Sequence, residues 1–325
     1  MKFDFFTLSD AYYRQRYQGG EISYHTLAGA LSMLGQFRDF CTGVRRTEPP
    51  LPERVTKELL QQYKLFCLEK GNKPVTINRK LVPILLSLKK AGIGNLDSIY
   101  FPVRTRRYGQ EAGRISPEDN ELVHHLNDAQ LRQLMQFGRN TRRKTARKAL
   151  SLFFFSFHAC GLRVSDIVTL EWRHVDLRKA QLSKVSVKTK SLITIPLSAP
   201  AIEILHRFKG LHRRFVFGLL PEDFDLNEDA ALAKAIDYRN RSVRQVLNGI
   251  GRRLDFPFSL GMHVARHTFA VKALNSTKLN VHMISRLLGH SSVLVTEKVY
   301  ARFLLPTLAN EVRKNLSFNE FIADF

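Results

Sequence analysis

Apolar side chains in the first 100 residues recur at intervals of three and four, as Leu27, Leu31 and Leu34 illustrate. This period places them on one face of a helix, and no segment of the region alternates between apolar and polar positions as a half-buried strand would. The pattern predicts a small bundle of helices over residues 1–105.

A segment without periodicity follows. Residues 101–120, FPVRTRRYGQEAGRISPEDN, combine proline, glycine and clustered charge. Such a composition is typical of a linker. We therefore predict a linker at residues 106–121, between the helical bundle and a second domain at residues 122–325.

The second domain combines helical periodicity with one β signal. It opens with LNDAQLRQLMQFG, where Asn127 or Asp128 can act as the N-cap, and continues into the phenylalanine-rich segment LSLFFFSFHACGL. Apolar residues such as Val185 and Ile193 then alternate on either side of the polar turn KTKS, which predicts a β-hairpin. The fold class predicted for the chain is mostly α with a small β-sheet, an α+β fold.

The C-terminal segment LLPTLANEVRKNLSFNEFIADF carries an apolar stripe at helical intervals, formed by Leu308, Val312, Leu316 and Phe321. It predicts a C-terminal tail helix. An apolar stripe needs a surface that buries it, which is either its own domain or another chain.

Charge narrows the class of partner. The chain has 51 Lys and Arg against 29 Asp and Glu, a formal net charge of +22, and basic residues are in excess both before and after the linker. Such a surplus favours a polyanion, and nucleic acid leads. A membrane surface is the rival, but the sequence shows neither a long apolar span nor a basic amphipathic terminus. Charge alone does not separate DNA from RNA.

Cysteine usage indicates the compartment. Cys41, Cys67 and Cys160 are too few and too widely spaced for a disulfide framework or a metal-binding Cys-x-x-Cys pair. The N-terminus lacks an export signal. Both features favour a reducing cytoplasm.

Five segments of the second domain concentrate groups that could carry chemistry. Taken singly, each has an ordinary explanation: a lone arginine is usually solvated or ion-paired, and a tyrosine near Val299 and Phe303 usually packs in a core. The segments are GLRVSD with Arg163, VKTK with Lys188, HVARH with His263 and Arg266, LLGH with His290, and VYARF with Tyr300.

Taken together, their order and spacing resemble the tyrosine recombinases, also called the phage integrase family. GLRVSDIVTLEWRHVDL is similar to that family's first arginine motif, VKTKSLITIPL to its lysine hairpin, HVARHTFA to its His-x-x-Arg-His box, and LLGHSSVLVTEKVYARF to its closing histidine and tyrosine. The resemblance covers residues 122–305, and more loosely TINRKLVPILLSLKKAG. In many members the tyrosine follows the last histidine by nine residues, whereas here it follows by ten.

The resemblance implies a site-specific DNA recombinase that integrates, excises or inverts DNA through a 3′-phosphotyrosyl intermediate. Its architecture would be a helical, SAM-like core-binding domain followed by a catalytic domain. Arg163 and Arg266 would grip the non-bridging phosphate oxygens, and Tyr300 would attack phosphorus. His263 would exchange a proton with the tyrosine, and Lys188 would protonate the departing 5′ oxygen.

Three further residues take supporting roles. His290 would donate a hydrogen bond to the phosphate. Asp166, one helical turn from Arg163, would orient that guanidinium. His267 would pack or brace its helix.

Partners and cofactors follow from the same resemblance. The partner would be double-stranded DNA with paired inverted sites, bound by a homodimer or homotetramer, with the tail docked on a neighbouring protomer or on its own domain. Arg79 and Lys80 are candidate DNA contacts from the first domain, although they also suit a solvated helix face. No cofactor, ATP or metal is implied, no membrane is involved, and the protein would lie in the cytoplasm, on the nucleoid when bound to DNA.

Two other functions remain open. The first is a metallohydrolase, because His263 and His267 have the i, i+4 spacing of zinc ligands. However, the glutamate that a zinc protease uses as its base is missing after His263, and Arg266 would repel the metal ion. A DNA-binding protein that keeps the fold without catalysis is the second alternative. The presence of Tyr300 and both arginines argues against it.

Overall fold

The computed structural model describes residues 3–94, 96–100, 123–276, 279–290, 292–300 and 303. The chain divides into two compact units, Met1–Ser116 and Pro117–Phe325. The predicted linker at 106–121 and the predicted tail helix after Leu305 lie outside the described residues.

The first unit is built from helices, as the apolar spacing predicts. Three of them begin at a side-chain N-cap, Asp4, Ser23 or Thr56, and the fourth begins at Pro74, whose missing N–H costs nothing in the first turn. The α-helices are α1 (Phe5–Gln18), α2 (Tyr24–Asp39), α3 (Lys57–Glu69) and α4 (Pro74–Lys90).

Aromatic rings form the centre of this bundle. Phe37 of α2 contacts Phe5 of α1 and Tyr63 of α3 in edge-to-face geometry, with ring centroids 6.1 and 4.9 Å away. Ile77 and Leu81 of α4 close the same core.

The second unit surrounds the phenylalanine-rich helix. Asn127 is the N-cap of the first helix and forms a capping box with Gln130, which confirms one of the two predicted caps. The α-helices are α5 (Asp128–Asn140), α6 (Lys144–His158), α7 (Val164–Val168), α8 (Ala199–Phe208), α9 (Asp229–Arg253), α10 (Met262–Leu274), α11 (Val281–Leu288) and α12 (Val293–Tyr300). Helix α6 contacts α8, α9 and α10, and its Phe153 and Phe155 are fully buried.

The strands form one small antiparallel sheet in the order β1-β2-β3. They are β1 (Val175–Asp176), β2 (Gln181–Val185) and β3 (Leu192–Pro196). Leu182 pairs with Ile195 and Val185 with Leu192, so the polar turn predicted from KTKS connects β2 to β3. The fold class, mostly α with a small sheet, is confirmed.

The buried face of β2 is not the one that carries Val185, although the apolar alternation of the sequence suggests that it would be. Val185 is exposed, whereas Leu182 and Lys184 are buried opposite Ile195 and Ile193. Side chains alternate along a strand, so once Leu182 faces the core Lys184 must do so as well. Among the described residues, no helix is long and apolar enough to cross a membrane.

A buried hydroxyl ties the start of the second unit to α10. Thr268 is fully buried, accepts the Leu126 N–H at 2.9 Å and donates to the Val264 carbonyl at 2.6 Å. It joins the chain entering the unit to the helix that carries His263 and Arg266.

We expect Thr268→Val to lower the free energy of unfolding by about 1–3 kcal/mol, because the buried Leu126 N–H would lose its acceptor. Thr268→Ser is the matched control, since it keeps the hydroxyl and loses only a methyl group. Denaturant unfolding measures both variants. A valine variant as stable as the serine variant would contradict the expectation.

Candidate active site

A reversal of the chain after α6 places Arg163. Cys160 and Gly161 both have positive φ, 53° and 71°, and they turn the chain so that Arg163 becomes the N-cap residue of α7. A Cβ on Gly161 would lie 3.1 Å from Cγ of Arg266. Glycine therefore serves this position through its left-handed backbone and through its close approach to the second arginine.

Backbone carbonyls hold both arginines. Arg266 donates from Nη1 to the Gly161 carbonyl at 2.8 Å and from Nη2 to the Leu288 carbonyl at 2.7 Å. Arg163 donates from Nη2 to the Gly289 carbonyl at 3.2 Å. Neither guanidinium forms an ion pair with a carboxylate in the described part of the chain.

The two charges remain close and largely unneutralised. Burial first, and then the charge of the nearby Arg163, lower the pKa of Arg266 to about 10. Burial also lowers the pKa of Arg163. Two cations in one pocket, already desolvated, form a site for an anion with several oxygens.

His290 adjoins this pair through Arg266. Its Nε2 lies 2.9 Å from Nη2 of Arg266, and its Nδ1 lies 2.7 Å from the Thr296 hydroxyl. Because a guanidinium only donates, Nε2 accepts and Nδ1 carries the proton. Burial and then Arg266 lower the pKa of His290 to about 4. The predicted donation to a phosphate would need the other tautomer; in this structure the ring supports Arg266.

Tyr300 ends α12 against the same helix that carries Arg266. Its side chain is 2% exposed and packs with Ala270 and Leu274. Burial raises the pKa of Tyr300 to about 12, while Arg266 and Arg163 act in the opposite direction. The phenol is therefore neutral, and the cations that would stabilise its anion are close by.

The hydroxyl of Tyr300 contacts His267. Its oxygen lies 2.6 Å from Nδ1, and the rings meet edge to face with centroids 5.7 Å apart. From the sequence, His263 is predicted to exchange a proton with the tyrosine and His267 to brace its helix. The structure brings His267 to the hydroxyl instead, because Tyr300 packs on the C-terminal half of α10 and meets the second histidine of that face.

His263 lies one turn earlier on α10 and is exposed. Its ring centroid is 6.2 Å from that of His267. Partial loss of hydration lowers the pKa of His263, and the charges of Arg266 and Lys188 add to the effect. His263 thus borders the cationic pocket rather than the hydroxyl.

Asp166 holds the hairpin. Its carboxylate is fully buried and accepts the Val187 N–H at 2.8 Å and the Ser186 hydroxyl at 3.1 Å. Asp166 is predicted from the sequence to orient Arg163. Its side chain instead points to the turn between β2 and β3 and forms its hydrogen bonds there. Lys188 comes next along the chain, is exposed, and its charge lowers the pKa of both His263 and His290. The hairpin therefore presents Lys188 to the same pocket.

Sequence analysis missed Lys184 beneath this turn. The ammonium donates to the Thr169 hydroxyl at 2.6 Å and to the Asp166 carbonyl at 3.1 Å, and it lies 3.9 Å from the Asp166 carboxylate. Burial lowers the pKa of Lys184 to about 8. The sequence did hold a signal for this burial: side chains alternate along β2, so a strand that buries Leu182 also buries Lys184. Arg244 of α9, whose charge lowers the pKa of His263, was also missed and carries no local signal.

The candidate DNA contacts of the first unit lie on α4. Arg79 is exposed on the side of α4 away from the buried Ile77, and Lys80 is half-buried at the edge of the buried face. Both are therefore accessible to a partner. Over the described residues, no three His, Cys, Asp or Glu side chains converge in a way that could hold a metal ion.

A model of the phage integrase family matches residues 124–304, the span that contains all of the site residues of the second unit. The chain belongs to the phage integrase family. Among curated relatives of this chain, the tyrosine recombinase XerC of Chlorobaculum parvum is 25% identical over 279 residues, which cover 78% of this chain and 77% of that protein. The tyrosine recombinase XerD of Pseudomonas aeruginosa is 32% identical over 143 residues, 43% of this chain and 45% of that protein.

Solved structures share the integrase fold. The Tn1549 transposon integrase, in complex with a circular intermediate DNA, has a TM-score of 0.64 and 16% identity over 94% of this chain and 99% of that chain. A lambda integrase dimer bound to a core site has a TM-score of 0.56 and 16% identity over 92% of this chain and 76% of that chain. At such identities the likeness concerns the fold.

Acidification should destabilise the second unit. The folded pKa of His267 and of His290 is about 4, below the ordinary value of 6.5, so these rings stay neutral while their unfolded counterparts bind protons. Stability from this source is present above pH 6.5 and is lost as the pH falls toward 4. The melting temperature, measured by thermal unfolding between pH 6.5 and pH 4, should fall as the pH is lowered. His290→Gln should make this fall smaller. The exposed His206 of α8 supplies the control variant, His206→Gln; an equal reduction there would contradict the assignment.

Proposed function

We propose that this member of the phage integrase family is a site-specific DNA recombinase that cleaves and rejoins DNA strands through a 3′-phosphotyrosyl intermediate. One observation carries the proposal: two guanidiniums, held by carbonyls and unpaired with carboxylates in the described residues, converge beside the hydroxyl of Tyr300. This combination suits a phosphodiester attacked by a phenol.

The arginines would act on the phosphate. As the tyrosine oxygen bonds to phosphorus, negative charge grows on the non-bridging oxygens, and Arg163 and Arg266 are placed to stabilise it. Their carbonyl partners fix both groups before DNA arrives. Little reorganisation is then needed during the reaction.

The remaining groups would manage protons and leaving groups. When the Tyr300 oxygen–phosphorus bond forms, the bond from phosphorus to the 5′ oxygen breaks, and that oxygen needs a proton. Lys188, exposed on the hairpin held by Asp166, is our candidate donor. The phosphotyrosyl bond keeps the energy of the broken linkage, so a free 5′ hydroxyl can reverse the step without ATP.

The proposal extends to the partner. Relatives of the same fold, the Tn1549 transposon integrase and lambda integrase, have been solved on DNA, which supports double-stranded DNA as the substrate. The paired inverted sites and a homodimer or homotetramer on DNA are part of our proposal. A catalytically inactive DNA-binding protein would not need Tyr300 beside two arginines, and we therefore favour the enzyme.

We expect Tyr300→Phe to abolish strand cleavage and to leave DNA affinity within about twofold, because only a buried hydroxyl is removed from the ring. A nicked suicide substrate, in which the departing strand diffuses away, should trap a covalent complex with the wild-type protein. Mass spectrometry of that complex should place the nucleotide on Tyr300. A phenylalanine variant that still forms the adduct would show that another residue is the nucleophile, and loss of wild-type cleavage in chelator with recovery on zinc would favour the metal alternative.

We also expect Arg79→Gln combined with Lys80→Gln to weaken DNA binding at every sequence and to reduce the salt dependence. Each lost phosphate contact should lower the slope of log affinity against log salt by about 1. Arg14→Gln with Arg16→Gln removes the same charge from α1, where both arginines are paired with acids, Asp10 and Glu21. Equal slopes for the two double variants would show that α4 makes no specific contact with the backbone.

A further inference from the structure

The contact between Tyr300 and His267 is short and well oriented. The hydroxyl oxygen lies 2.6 Å from Nδ1 across 33 residues of sequence, in an environment where Tyr300 is 2% exposed. His267 is the residue directly after Arg266, so one turn of α10 holds both a phosphate-binding group and the partner of the nucleophile.

The direction of this hydrogen bond follows from the two acidities. The pKa of Tyr300 is raised to about 12. The pKa of His267 is lowered to about 4, and burial is the largest cause. The shared proton therefore belongs to the phenol, which donates to an unprotonated Nδ1. The other ring nitrogen, Nε2, then carries the hydrogen of the neutral imidazole.

In the part of the chain that the structure describes, the groups that shift the pKa of His267 are cationic or neutral on each element packed against it. His263 and Arg266 lie on its own helix, His125 and His124 lie on the segment before α5, and all four lower the pKa of His267. Across the contact lies Tyr300 of α12. Among the described residues, no carboxylate is one of the groups that shift the pKa of His267, so these neighbours favour the neutral imidazole.

We propose that His267 is a catalytic residue: its Nδ1 holds the Tyr300 hydroxyl and accepts the proton of that hydroxyl as the oxygen bonds to phosphorus. This inference rests on the recombinase function proposed above. His263, the base expected from sequence, is exposed and its ring lies 6.2 Å from that of His267. The hydroxyl of Tyr300 contacts His267, the second histidine of the HVARH motif, and this contact carries the assignment.

The step balances in both directions. The oxygen of Tyr300 supplies the electron pair of the new bond to phosphorus, its proton moves to His267, and the 5′ oxygen leaves with the electron pair of the broken bond and takes a proton from Lys188. On rejoining, the 5′ hydroxyl returns its proton to Lys188, and the imidazolium of His267 returns the other proton to the phenol.

The bound phosphate would also switch this base on. Its negative charge would oppose the effect of the nearby cations, so the pKa of His267 would rise on DNA binding toward the range in which imidazole accepts a proton well. Without DNA, His267 stays weakly basic and Tyr300 stays protonated. The nucleophile would thus be activated only where a phosphodiester lies between the arginines.

His267→Asn separates holding the hydroxyl from accepting its proton. The amide of asparagine reaches the position of Nδ1 and can hydrogen bond, but it cannot take up a proton. We expect covalent complex formation on the suicide substrate to slow by about 100-fold or more, with DNA affinity and thermal stability close to wild type. The wild-type rate should fall as the pH is lowered through the His267 pKa in the complex, and the variant should lack this dependence.

A sulfur-bridged substrate, with sulfur in place of the 5′ oxygen, distinguishes the nucleophile side from the leaving-group side. A thiolate leaves without a proton, so Lys188→Ala should be rescued on it whereas His267→Asn should remain slow. Rescue of His267→Asn would overturn the inference, since it would place His267 at the leaving group. Unchanged rates in His267→Asn, or loss of the pH dependence in His263→Asn alone, would overturn it as well.

Wild type and Tyr300→Phe run in the same assay keep the two proposals apart. A wild-type adduct on Tyr300 together with a fully active His267→Asn overturns only the role of His267. No adduct from the wild-type protein overturns the recombinase function and this inference with it.

Discussion

Two guanidiniums share one desolvated pocket, and the rest of the second unit is arranged around that constraint. Carboxylates would be the simplest way to neutralise Arg163 and Arg266, but a carboxylate there would compete with the phosphate that we propose binds between them. The chain uses peptide carbonyls instead, those of Gly161, Leu288 and Gly289. Carbonyl dipoles satisfy the N–H groups and leave most of the positive charge for a ligand.

This solution depends on two turns of special backbone geometry. Gly161 and Gly289 have φ of 71° and 63°, and each aims its carbonyl at an arginine. A Cβ on Gly289 would lie 2.9 Å from Ile193 of β3, so this turn also packs directly on the sheet. Turns after α6 and α11 thereby connect the cationic pocket of Arg163 and Arg266 to the β-hairpin that carries Lys188.

Asp166 of α7 and Lys184 of β2, both buried, show how the unit keeps negative charge out of the pocket. Asp166 lies within the influence of both arginines, yet its hydrogen bonds go to Ser186 and Val187, and its ionic neighbour is Lys184. The carboxylate of Asp166 therefore holds the turn in position and does not pair with either arginine. On the opposite side, Tyr300 is kept neutral by burial and by a hydrogen bond to an uncharged ring. The site therefore stays cationic, and Tyr300 remains in its protonated form.

The sequence by itself determined the helical character of the chain, the N-cap at Asn127, the hairpin around KTKS, and the family, because each depends on local spacing or on the order of short motifs. It also selected the residues that converge: Arg163, Lys188, His263, Arg266, His290 and Tyr300 all border one pocket or its hairpin. Only the tertiary structure decided how they are connected. Asp166 turns to residues 20 positions away rather than to Arg163, Lys184 is buried because Leu182 faces the core, and Tyr300 meets His267 rather than His263. Two histidines one helical turn apart are equivalent to any local pattern, and the choice between them depends on where α12 packs along α10, a long-range contact that spacing along the chain does not encode.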